Sequence, residues 1–177
     1  MPFLLLAQFR VKGNLSDVEI EGTSTLHDWT MKAEDCDGRA DFVITEDDLK
    51  ISSLSFEVNV RDLKSGKSGM DSNTYNALEE KKYPKITFKM TEVVSISKMA
   101  KDKYKVTVKG ELFIAGTKKV TTISGTVSVN NDEAVKIVAS KEIKMTTWNV
   151  DPPTAVMGTI KTGDDLKLNF NILYSLN

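Results

Sequence analysis

Alternation of apolar and polar side chains dominates this chain. In ISSLSFEVNV (51–60), Leu54, Phe56, Val58 and Val60 share one parity while serines and charged residues fill the other, as in a strand with one buried face. KYKVTVKGELFIAG (103–116) repeats the pattern through Tyr104, Val106, Val108, Leu112 and Ile114, with Gly110 as the interruption where a bulge or sharp bend is expected. At ~3.3 Å per residue such a run exceeds roughly 40 Å, long for a sandwich strand and suited to a bent strand of a closed barrel. DLKLNFNILY (165–174) alternates through Leu166, Leu168, Phe170, Ile172 and Tyr174, and DVEIEG, RADFVI, TVSVN and VKIVAS supply shorter examples. Turn signals fall at Ala115-Gly116, Asn130-Asn131-Asp132 and Thr162-Gly163-Asp164-Asp165. The pattern predicts an all-β fold, an extended antiparallel barrel of roughly eight strands.

One stretch breaks the rhythm. NTYNALEEKKYPKITFKM (73–90) predicts a short helix near residues 71–82 in which Asp71 or Ser72 caps the start and Tyr75 and Leu78 share a side. Pro84 is expected to end it, because proline lacks a backbone donor and pushes Tyr83 toward an extended conformation. Ile86, Phe88 and Met90 then resume the alternation.

Composition narrows the function classes. The 177 residues carry 24 Lys plus Arg against 25 Asp plus Glu, and the basic residues are scattered, so there is no footprint for nucleic acid. A chain of this size buries a core as one domain, taken here as residues 8–177. The lone Cys36 has no disulfide partner and no companions at metal-ligand spacing. MPFLLLAQ at the start reads as the remnant of an export leader (residues 1–7) cut after Ala7, or else as a first strand through Phe3 to Phe9. No other segment reaches membrane-spanning length, so stable membrane insertion is not expected.

Candidate chemistry is sparse. His27, the single histidine, is followed by Asp28 and Trp29, which allows an acid-base pair to be imagined. Adjacent residues of a strand face opposite sides, however, and no motif ties a nucleophile to them. SGKSG (65–69) lacks the spacing of a phosphate-binding loop, KMAKDKYK (98–105) reads as a wet hairpin tip, and TEDD (45–48) as a solvated loop. No catalytic residue, metal ligand or cofactor is expected.

MDSNTYNALEEKKYPKITFK resembles the signature stretch of the YceI-like family, a short helix followed by Lys-Tyr-Pro and an Ile-x-Phe strand, here Tyr83, Pro84, Ile86 and Phe88. VKGELFIAGTKKVTTISGTV is similar to that family's Gly-x-Leu-x-Ile-x-Gly-x-x-Lys hairpin through Gly110, Leu112, Ile114, Gly116 and Lys119. GTSTLHDW and MTTWNVDPPTAVMGTIKTGDDLKLNF add two further stretches in the same order, so the likeness spans roughly residues 16 to 174.

The resemblance implies a lipocalin-like barrel, periplasmic or secreted, that binds, stores or transports a polyisoprenoid or other long apolar lipid, such as a quinone or polyprenyl chain, without catalysis. Parity then nominates the lumen: Phe56, Val58, Ile86, Phe88, Met90, Val108, Leu112, Ile114, Phe170 and Ile172, with Met145 and Met157 as flexible additions. Trp29, Tyr75, Leu78, Tyr83 and Trp148 are rim candidates. Each lumen position is equally consistent with a filled core. Two other readings stay open: a barrel enzyme using His27 and Asp28 on a hydrophobic substrate, and a filled barrel that serves as an interaction module. A second copy of the chain is carried as a candidate partner.

Overall fold

The computed structural model describes residues 8–130 and 133–176, so the suspected leader and the centre of the Asn130-Asn131-Asp132 turn lie outside them. In chain order the elements are β1 (Gln8–Val11), β2 (Asp17–Ser24), β3 (Trp29–Ala33), β4 (Asp37–Ile44), β5 (Leu49–Asn59), β6 (Leu63–Lys64), α1 (Ser68–Ala77), β7 (Lys85–Ala100), β8 (Lys103–Ile114), β9 (Thr117–Asn130), β10 (Ala134–Lys144), β11 (Thr154–Ala155) and β12 (Ile160–Leu176). Eight strands close a ring in the order β1-β4-β5-β7-β8-β9-β10-β12 and back to β1, every pairing antiparallel. This is the all-β, lipocalin-like barrel that alternation and family likeness predict.

Closure turns on how β12 shares one edge. Its C-terminal end pairs with β1 (Val11 opposite Tyr174), while its N-terminal half pairs with β2 (Phe170 opposite Val18, Leu166 opposite Gly22). A 3₁₀ turn at Gly13–Leu15 separates the two strands. At the β1 end the ring is complete. At the β2 end the sheet continues into β3 and β6 instead of joining β4, and α1 lies against this extension.

The complete end is plugged. Phe9 packs edge-on to Phe42 at 5.1 Å, and Phe42 edge-on to Tyr174 at 5.9 Å, all three buried. Tyr174 donates its hydroxyl to the Ser55 carbonyl at 2.9 Å, which satisfies the one polar atom this plug contains. Burial pushes its phenol pKa well above the ordinary tyrosine value.

Several local expectations are corrected. Strand β8 runs unbroken through Gly110; the bulge sits opposite, between Met90 and Glu92 of β7, which shifts register twice more before Ala100. Gly110 is required for another reason: a Cβ there would lie 2.5 Å from both the Phe88 ring and the Lys89 carbonyl oxygen. Thr162-Gly163-Asp164-Asp165 is not a turn but a register shift inside β12. From it, Asp164 accepts the Thr146 N–H at 2.9 Å and the Thr146 hydroxyl at 2.7 Å, holding the 3₁₀ turn Met145–Trp148. Ala115-Gly116 is a two-residue hairpin with both φ angles positive, as a type I′ loop requires.

Helix α1 starts three residues earlier than expected, with Lys67 at the N-cap and no side-chain cap. Asp71 instead accepts the Ser65 N–H (2.8 Å) and hydroxyl (2.6 Å), tying down the loop before the helix. That loop does join a strand to a helix, but Ser65 spends its donors on Asp71. Nor does Pro84 end the helix: the helix stops at Ala77, and Glu79 takes a left-handed φ of 50°. Lys82 and Tyr83 donate back to the Glu79 carbonyl before Pro84 is reached.

The close approach at Gly110 gives a direct test. Gly110→Ala is expected to lose about 1–3 kcal/mol of stability through overpacking against Phe88. Gly69→Ala, in α1 with nothing within 4 Å of its added carbon, should gain about 0.5–1 kcal/mol from helix propensity. Urea unfolding of the two variants measures both; equal effects would put Phe88 elsewhere.

Candidate functional site

Inward side chains of the ring do not fill it, although Phe56 and Phe170 meet edge-on at 6.1 Å. They leave a cavity of about 650 Å³, inside the range of about 300–1,000 Å³ typical of ligand sites. Tyr174, Ile51, Val106 and Val127 form its floor against the aromatic plug. Ile160 and Tyr174, near opposite ends of β12, both line it. At ~3.3 Å per residue and a tilt of roughly 40°, that puts the floor on the order of 30 Å below the mouth. Room comes from small side chains: Gly125 and Ala139 pair across β9 and β10, and Phe170 stands opposite Ala139 on β12.

The mouth is built by α1, the β2–β3 hairpin and the β11–β12 hairpin. The helix offers Met70, Asn73, Thr74, Ala77 and Leu78, a spacing that forms one helical face. The Thr74 hydroxyl donates to the Met31 sulfur at 3.4 Å. The Trp29 ring lies over Gly22, where a Cβ would come within 2.2 Å of it, and Nε1 donates to the Thr23 carbonyl at 3.0 Å. Trp148 is buried, donating Nε1 to the Leu112 carbonyl at 3.2 Å. Thr25 and Lys161 exchange two hydrogen bonds that fasten the two hairpins together.

His27 and Asp28 stand at this mouth, both exposed, but their side chains form no pair. The nearest partner of His27 Nδ1 is the Asp28 main-chain oxygen at 2.6 Å, and Ser24 Oγ accepts the His27 N–H. A second recess of about 370 Å³, lined by His27, Asp28, Thr30, Ser65 and Lys67, adjoins the mouth. Burial, and secondarily the Asp35 carboxylate, lift the Cys36 thiol to about 11, so it is protonated at neutral pH and is no thiolate nucleophile. Among the described residues no group of three or more His, Cys, Asp or Glu could hold a metal, and no helix is long and apolar enough to cross a membrane.

A family model described as the YceI-like domain matches residues 8–174. The chain belongs to that family. Among curated proteins no sequence match was found. Solved structures similar to this YceI-like chain include a polyisoprenoid binding domain from Saccharophagus degradans implicated in plant cell wall breakdown, at TM-score 0.74 and 12% identity over 97% of this chain and 99% of that one. BcnA of Burkholderia cenocepacia gives 0.69 and 19% over 89% and 95%. The Campylobacter jejuni YCEI protein gives 0.63 and 21% over 83% and 84%. At such identities the likeness concerns the fold.

Against this cavity the YceI-like pattern sorts clearly. Phe56, Val58, Ile86, Phe88, Val108, Leu112, Ile114, Phe170 and Ile172 all line it, as do Trp29, Leu78, Trp148 and Met145. Met90 does not: opposite Gly110 it keeps the parity of Phe88, the register of β7 shifting only after it, but it packs half-buried against the core and stays off the cavity wall. Tyr75 turns away and bonds through its hydroxyl to the Arg61 and Leu63 carbonyls and the Lys64 ammonium. Tyr83 covers Gly116 and meets Phe113 edge-on at 6.0 Å, on the outside of the wall. Met157 is fully exposed, at the tip of the β11–β12 hairpin.

Sequence reading missed Val18, Ile20, Val127, Ile137, Ile143 and Leu168 as lining residues, although the same parity within β2, β9, β10 and β12 marks them. It also missed the α1 face led by Met70, which no alternation signals.

Two outcomes are expected. Phe88→Asp, placing an unpaired charge on the wall, should cost about 3 kcal/mol or more, whereas Lys89→Gln should stay within about 0.5 kcal/mol; chemical denaturation measures both. For Cys36, the folded state keeps a proton that the unfolded chain loses near the ordinary value of 9.0. Stability should therefore fall as pH rises from about 9 to about 11, by at most about 2–3 kcal/mol, and the difference between wild type and Cys36→Ala isolates it.

Proposed function

We propose that this protein binds a polyisoprenoid lipid, a quinone or polyprenyl chain, in the barrel lumen and stores or carries it without chemical change. The observation that carries the reading is the continuous apolar wall from Trp29 at the mouth to Tyr174 at the floor. An isoprenoid tail moved from water into such a tunnel gains roughly 25 cal/mol for every Å² of apolar surface covered. A slender, branched chain fits a deep narrow tube better than a compact sterol does. The polyisoprenoid binding domain of Saccharophagus degradans shares the fold, which adds support at the level of the ligand class. Family membership favours a periplasmic or secreted site of action.

Catalysis finds less support, since His27 and Asp28 share no hydrogen bond between side chains and the buried Cys36 stays protonated. The protein purified under native conditions should retain intact lipid near one molecule per chain, detected by native mass spectrometry and solvent extraction. Ala139→Phe, which fills the gap beside Phe170, should cut retained lipid about tenfold or more, since each 1.4 kcal/mol of lost binding is a factor of ten, while leaving the fold intact. Turnover of the lipid that disappears in His27→Ala would favour an enzyme instead, and an extract free of lipid would favour a filled interaction module.

A further inference from the structure

The ionisable side chains on the cavity wall are strongly biased in sign. Although acidic residues outnumber Lys plus Arg in the chain as a whole, 25 against 24, no Asp or Glu among the described residues lines the cavity. Its charged or titratable groups are His27 and Lys67 at the mouth and Lys141 inside, apart from Tyr174 on the floor, whose hydroxyl already serves Ser55.

Lys141 is the unexpected one. It occupies the inward parity of β10 between Ala139 and Ile143, half-buried and beside Leu168 of β12. Lys136 and Lys144 on the same strand are exposed, and Lys144 pairs with Asp165. Among the described residues neither the Lys141 nor the Lys67 ammonium takes part in an ion pair or a hydrogen bond, the Lys67 main chain alone bonding Ser65 Oγ. A cation set into an apolar wall without a counter-charge is unfavourable. A bound counter-charge would offset that cost.

The register says where the offset would act. Ile143, Leu166, Gly22 and Trp29 form one row across β10, β12, β2 and β3, at the mouth. Lys141, Leu168, Ile20 and Met31 form the next inward row. The ammonium is thus one step inside the mouth, with some apolar wall above it and the long apolar tunnel below.

We infer that the ligand is an amphiphile with an anionic headgroup, held just inside the mouth by Lys141 with Lys67 and His27 toward solvent, its tail reaching to Tyr174. This rests on the lipid-carrier reading and refines it: a phosphate-bearing or carboxylate-bearing chain is preferred over a neutral quinone or alcohol.

Calorimetric titration of the delipidated full chain with farnesyl phosphate and farnesol, which differ only in the headgroup, tests it. Farnesyl phosphate should bind about 10–100-fold tighter, the value of one charge-assisted hydrogen bond, and the gap should narrow with added salt. Lys141→Met, which keeps the packing, should close most of the gap while leaving farnesol affinity within about threefold, well under the tenfold that 1.4 kcal/mol represents. Equal affinities for the two compounds would overturn the anionic head yet leave the carrier standing. A preference that survives both Lys141→Met and Lys67→Gln would overturn the assignment to these residues, and inorganic phosphate binding as tightly as farnesyl phosphate would overturn the amphiphile. Failure of both chains to bind would remove the lipid reading together with this one.

Discussion

The geometry of this molecule depends on one short set of hydrogen bonds, those by which the four residues of β1 bridge β4 and β12. Without that bridge the sheet would have two open edges and no interior. With it, eight strands share a continuous inner surface, and every second side chain must point into it. The bridge spans only one end. Past the Gly13–Leu15 turn the same chain, now β2, pairs outward with β3, so the ring is closed at the floor and parted at the mouth. Plug and mouth are two consequences of one strand changing partner.

An eight-stranded ring sits at the boundary between a filled core and a site for one small ligand. Side-chain volume decides which. At the plugged end Phe9, Phe42 and Tyr174 fill the section completely. Toward the mouth, Phe56 and Phe170 still meet edge-on at 6.1 Å, but Gly125 and Ala139, in the same row of the wall as Phe170, add almost no side chain to the lumen. An apolar void forfeits dispersion contacts around its whole lining. A ligand that restores them stabilises the folded chain by binding it and not the unfolded state.

How much of this was legible in the sequence follows from the same physics. Phe56, Val58, Leu112, Ile114, Phe170 and Ile172 could be read as inward-facing because their strands keep an unbroken register around them. Met90 has the same parity, opposite Gly110, and still stays off the wall, because parity gives the side of the sheet and not the reach of the side chain into the lumen. The limits of α1 escaped for another reason: Asp71 looks like a cap but is drawn to Ser65, and the chain leaves the helix through a left-handed glutamate that no scale favours. Ring closure joins residue 9 to residue 176, beyond the reach of any local pattern. Parity tells which side chains face in; whether they touch depends on curvature that emerges only when all eight strands are placed.

Between its aromatic plug and its mouth, the tunnel would impose an order on an amphiphile of the kind proposed. Its tail would enter first, since the plug blocks the floor, and its head would be the last part to pass Trp29. The distance from the Lys141 row to Tyr174 then acts as a ruler: a chain too short leaves the floor empty, and one too long holds its head out in water beyond the lysine. Depth and headgroup contact are coupled in this way, so selectivity for chain length needs no dedicated recognition element. It would follow from where the aromatic plug stops the tail and where Lys141 meets the head.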